Sequence, residues 1–143
     1  MPASLTIAAG VTVAAAPERV WNLAIDWATQ RDWMWATRTS GGQGQGAIVT
    51  ARTGFGPFGF TDTMLITEWD PPRRCVVTHT GNVVRGEGVF EVLPREGRSE
   101  FRWTERIVLP ESVLGLVPAP IRPAFSRIAL AVIAPLARAW GRP

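Results

Sequence analysis

The 143-residue chain has no lysine and no tyrosine, one cysteine and one histidine. Each shortage closes off some chemistry. Without lysine there is no Schiff base, and without tyrosine no phenolic acid-base group. Cys75 alone makes no internal disulfide, and with His79 as the sole imidazole no clustered His/Cys metal site can assemble. The acids are scattered, so neither a metal nor a cofactor is expected. Every basic residue is arginine, and the pI near 10.9 reflects a group that does not deprotonate, because 15 basic against 12 acidic residues leave only +3. No nucleic-acid partner is expected on that balance. Acids also run out after Glu111, while Arg122, Arg127, Arg138 and Arg142 remain, which reads as a solvated helix face. The longest apolar run, Ile128 to Ala137, falls short of the roughly 20 residues that cross a bilayer. A cytoplasmic protein with no integral membrane segment is expected.

A hydrophobic content of 46% beside 19% charged residues suits one soluble globular domain over residues 1–143. The last stretch, roughly Ile121 to Trp140, is the organising element. Ile121, Phe125, Ile128, Val132, Leu136 and Trp140 recur at helical steps, with Leu130 and Ile133 widening the face and Arg127, Ala131, Ala134 and Arg138 opposite. Something broad and concave is expected to cover this helix, which should kink or end at Pro135. Residues 5–13 alternate as a half-buried strand, and a short helix follows over 17–25. Asp26 is placed to cap another helical turn with its carboxylate. The glycine-rich run 41–46 precedes a strand rather than a helix, so it reads as a loop and not a phosphate cradle. Strands are predicted over Ala47–Arg52, Phe60–Trp69, Cys75–Thr80, Val83–Leu93 and Glu100–Leu109, joined by short turns as an antiparallel meander, with a proline-bounded loop from Pro110 to Pro120. The fold class is therefore α+β, a curved antiparallel sheet around a long C-terminal helix.

Local motifs agree with that order. Ala16-Pro17-Glu18-Arg19-Val20-Trp21 enters the first helix, Asp26 to Trp33 forms the second, Glu68-Trp69-Asp70-Pro71-Pro72-Arg73-Arg74 makes a strand-turn-strand junction, and Phe101-Arg102-Trp103-Thr104-Glu105 precedes the final helix. Over nearly its whole length the chain resembles the START-like superfamily, also called SRPBCC, which includes polyketide cyclases/dehydrases, lipid-transfer domains and the birch-pollen-allergen group. The resemblance implies a helix-grip fold with an apolar cavity between the sheet, the two short helices and the long helix.

Within the cavity that the resemblance implies, strand parity nominates the sheet's share of the lining, and the resemblance implies the helices' share. Met64, Val77, His79, Phe90, Trp103 and Glu105 come from the sheet, Trp33 and Trp35 from the end of the second helical segment, and Phe125, Ile128, Ala129 and Val132 from the long helix. The two tryptophans read either as an aromatic gate or as plain core. Glu105 and His79 are the candidate proton carriers, with Asp62 a weaker third; each also reads as a satisfied structural group. No serine or cysteine has a recognisable base beside it.

The primary expectation is binding of a small hydrophobic or amphipathic ligand, such as a lipid or polyketide. One alternative is a polyketide cyclase/dehydrase-type enzyme using Glu105, His79 or both. Another is an interaction protein, including a homodimer, that pairs through its apolar C-terminal helix.

Overall fold

The computed structural model describes residues 2–81 and 84–142. Strand β1 (Pro2–Val13) alternates strictly between exposed and inward residues along its length, as the sequence pattern requires. Helix α1 (Pro17–Ala24) follows, with proline in its first turn and Val20, Trp21 and Ala24 buried. A 3-10 segment (Trp27–Asp32) comes next. The Asp26 carboxylate does not cap it; the Asp26 carbonyl instead accepts both the Thr29 amide and the Thr29 hydroxyl.

The remaining strands are β2 (Thr37–Gly41), β3 (Ile48–Phe55), β4 (Phe58–Asp70), β5 (Arg74–His79), β6 (Gly86–Arg95) and β7 (Arg98–Pro110). They form one seven-stranded sheet in the order β1-β7-β6-β5-β4-β3-β2, antiparallel at every pairing. Strand β2 has no counterpart in the expected elements. The predicted strand Val83–Leu93 is observed from Gly86, and Val83 lies outside the described residues.

After β7 the Pro110–Pro120 segment is not all loop, because Glu111–Leu114 forms helix α2. The long helix is broken. It comprises a 3-10 turn at Ala119–Ile121, helix α3 (Pro123–Ile133) and helix α4 (Leu136–Trp140), the break falling at Pro135 where a helical amide is missing. The expected apolar face is also rotated. Ala129, Ile133, Leu136 and Trp140 are buried, whereas Ile121 and Ile128 are 52% and 61% exposed. By length and composition Ala119–Trp140 could cross a membrane; in this fold Ile133, Leu136 and Trp140 join the core, while most of its other residues stay at least partly exposed.

The core fills one end of the space between sheet and helices. Val13, Val20, Trp21, Ile66, Val92, Phe101, Ile133 and Trp140 meet there. The Arg19 guanidinium ties α1 to the end of α4 by donating to the carbonyls of Trp140 and Arg142, cations being favoured at helix C-termini. At the other side α3 lies over β1, and the Ser126 hydroxyl accepts the Ala8 amide at 3.1 Å.

Candidate functional site

The end of the sheet not filled by core holds a cavity of about 420 Å³. Its wall includes Trp35, Met64, Val77, His79, Phe90, Trp103, Glu105, Phe125, Ile128, Ala129 and Val132. Of the expected lining, Trp33 alone stands outside that wall. It packs edge-on against Phe101, Trp103 and Trp140 with ring centroids 5.9–6.2 Å apart, and against Phe90 at 6.2 Å, so it is the partition between core and cavity. Trp35, two residues on, is 76% exposed and rests on Phe55 at the rim. Ala36 adopts a left-handed backbone (φ 52°), uncommon for a residue with a side chain, as the chain turns into β2. Trp35 and Ile128 are both exposed and both line the cavity, which identifies its mouth.

Three titratable side chains meet on the cavity wall. Strand parity turns Asp62 and Met64 of β4 inward together, as it does Val77 and His79 of β5 and Trp103 and Glu105 of β7. His79 Nδ1 lies 2.8 Å from Asp62 Oδ2, and His79 Nε2 lies 2.9 Å from Glu105 Oε2. The Trp103 indole N–H donates to Glu105 Oε1 at 3.0 Å. Strand β6 runs between β5 and β7, so Glu105 must reach across it. The inward residues at that crossing are Gly86, opposite His79, and Gly88, opposite Glu105. Neither has a side chain, which leaves a corridor for the carboxylate.

A methyl group at Gly88 would sit 2.9 and 3.1 Å from the two Glu105 carboxylate oxygens and 3.1 Å from Val77 Cγ2. Gly88→Ala is therefore expected to push Glu105 off His79 and cost about 1–3 kcal/mol, the range for overpacking. Denaturant unfolding with the His79 ring NMR signals as a local reporter would check both effects.

With an ionised carboxylate at each ring nitrogen, His79 carries a proton on both. Burial of the ring opposes that charge, but the hydrogen bonds and charges of Asp62 and Glu105 outweigh it and raise the His79 pKa to about 9. Its ordinary value is 6.5. A folded-state pKa above the unfolded one stabilises the fold fully below pH 6.5, and that stability is lost as pH rises through about 9. The loss expected from this group is about 3 kcal/mol. Denaturation midpoints between pH 6.5 and 10 would show it, and a His79→Ala chain should lack the slope.

Two buried polar atoms in the wall, Asp62 Oδ1 and the Thr39 hydroxyl, have no hydrogen-bond partner among the described residues. They lie in one row across β2, β3 and β4, since Thr39 pairs with Ala51 and Ala51 with Asp62. Sequence reasoning missed Thr39 because β2 itself was not expected, and it ranked Asp62 third although Asp62 has the free oxygen. Cys75 also lines the cavity; burial pushes its thiol up to about 12, so it stays protonated and inert. Among the described residues no group of three or more His, Cys, Asp and Glu is arranged to hold a metal ion.

Comparison with solved structures places the fold among known relatives. The Zhui aromatase/cyclase from Streptomyces sp. R1128 superposes with a TM-score of 0.71 at 18% identity, over 98% of this chain and 97% of that one. The Aha1 dimer from Colwellia psychrerythraea gives 0.67 at 18% identity, over 97% and 99%. A norcoclaurine synthase point mutant from Thalictrum flavum, in complex with a transition-state analogue, gives 0.61 at 15% identity, over 93% and 96%. At these identities the likeness is one of fold. No curated protein matches the chain. The family profile described as polyketide cyclase / dehydrase and lipid transport matches residues 4–139, and the chain belongs to that family.

Proposed function

We propose that this protein binds a small hydrophobic or amphipathic molecule in the cavity between sheet and α3, with Asp62, His79 and Glu105 orienting its polar end. The observation that carries this reading is a cavity of about 420 Å³ with a largely apolar wall and one compact polar cluster. That is the usual composition of a small-molecule site, in which apolar area supplies affinity and a few placed polar groups supply orientation. Native mass spectrometry of freshly purified protein, followed by organic extraction, tests it. A discrete added mass that extracts into solvent is the expected result. An empty spectrum together with no binding of a hydrophobic dye would overturn it.

A second reading, enzymatic proton transfer, is favoured by the same cluster. Asp62 Oδ1 is buried and unoccupied by any hydrogen bond among the described residues, so it can take a proton from a bound molecule. Before the transfer the His79 imidazolium holds the Asp62 carboxylate in place and Glu105 holds the ring; after it Asp62 is neutral and the negative charge lies on the bound molecule. Asp62→Asn should abolish turnover of a polyketide-like substrate while leaving its binding within about threefold; equal loss of both would count against catalysis.

A further inference from the structure

The cluster on the cavity wall has an electrical character that its apolar surroundings make conspicuous. Two carboxylates flank one imidazolium, so the group carries a net negative charge. The chain holds 15 arginines, yet none of them lines the cavity. The other polar groups in the wall, the Gln30 amide and the threonine hydroxyls, are neutral.

His79 itself has no proton to offer a ligand. Both of its nitrogens are engaged by carboxylates, at 2.8 and 2.9 Å. Glu105 is engaged through both oxygens, one by His79 and one by the Trp103 indole. What remains is Asp62 Oδ1, an acceptor on a residue 8% exposed, with no partner among the described residues. A buried carboxylate oxygen without a donor is costly, and a net charge in apolar surroundings more so. Both costs fall if the bound molecule brings a cationic donor. Phe60, Phe90 and Trp103 also line the wall, and aromatic rings are compatible with a nearby cation.

From this geometry we infer that the cavity takes a hydrophobic amine, its ammonium donating to Asp62 Oδ1 and its apolar body lying toward Trp35 and Ile128 at the mouth. The inference rests on the proposed binding function and narrows it to one head-group chemistry. Ligands ending in a carboxylate are disfavoured, because they would set a third negative group against two with no arginine to receive it.

A matched series separates the possibilities: 4-phenylbutylamine, 4-phenylbutan-1-ol and 4-phenylbutyrate share one apolar body and differ only in the head. Calorimetric titration of the intact protein at neutral pH should rank the amine first and the carboxylate last, with at least about a tenfold gap between the amine and the carboxylate. Asp62→Asn should weaken the amine by about tenfold or more and the alcohol by less than about threefold. Carboxylate binding as tight as that of the amine would overturn the proposal, as would an equal loss for amine and alcohol in Asp62→Asn. Should that variant not fold, the ranking on the unaltered protein decides alone. Binding of a hydrophobic dye with no preference for the amine would sink the amine while sparing the cavity-binding reading; failure of dye and all three probes would sink both.

Discussion

Replacing His79 with alanine is expected to cost about 3–5 kcal/mol, the range for removing one partner from a buried ion pair. The loss is not mainly that of two hydrogen bonds. Asp62 and Glu105 would remain in the wall, facing each other across the space the ring had filled, with no cation between them. The comparison that isolates this cause is the all-neutral triple variant, Asp62→Asn, His79→Gln and Glu105→Gln. It keeps hydrogen-bonding groups of similar size and removes the charges, so it should recover most of the loss. A triple variant as unstable as His79→Ala in urea unfolding would show that the ring's packing, rather than its charge, supports this region.

Trp33→Ala is expected to cost a similar about 3–5 kcal/mol, for a different reason. Its indole meets Phe90, Phe101, Trp103 and Trp140, and its removal leaves a void that these rings, each held by other partners, close only in part. Because Trp33 separates cavity from core, the void joins the cavity. The variant should bind bulkier hydrophobic dyes than the parent even as it becomes less stable. Trp35→Ala is the control two residues away. An exposed rim residue should change stability by no more than about 0.5 kcal/mol, with its effect confined to binding. Equal destabilisation by both substitutions would contradict the partition.

This pair also shows how far the sequence could be read. Both tryptophans are large aromatics closing a short helical segment, and nothing local separates a core residue from a rim residue. The distinction arises only when β7 and α4 arrive to surround one of them. The helix over 121–140 presented the same difficulty: Ile128 at the mouth and Ile133 in the core are the same residue type, so the hydrophobic pattern placed its centre wrongly. The Pro135 break was legible because proline acts on its own backbone. Strand β2, Thr-Arg-Thr-Ser-Gly, has no apolar alternation to announce it.

The strands that carry Asp62, His79 and Glu105 were legible, and period-two parity placed all three on inward faces. Their meeting was not, because parity gives a face and says nothing of which strands are neighbours. The available signal was Gly86-x-Gly88, two glycines on one face of a strand, where a missing side chain marks a close approach. In the sheet it proves to be the gap through which Glu105 reaches His79.

The pairing of β1 with β7 bears on how this molecule folds. The first strand of the sheet joins the last, with Pro2 opposite Pro110 and Val13 opposite Ser99, while every other pairing links neighbours in the chain. Hairpins from β2 to β7 can form by closing short loops, but β1 must bring together ends separated by most of the chain, so its docking carries the largest loop-closure entropy. During synthesis it emerges first and waits longest, an alternating apolar strand with nothing beside it. Until β7 is made, it is the segment most open to pairing with another chain.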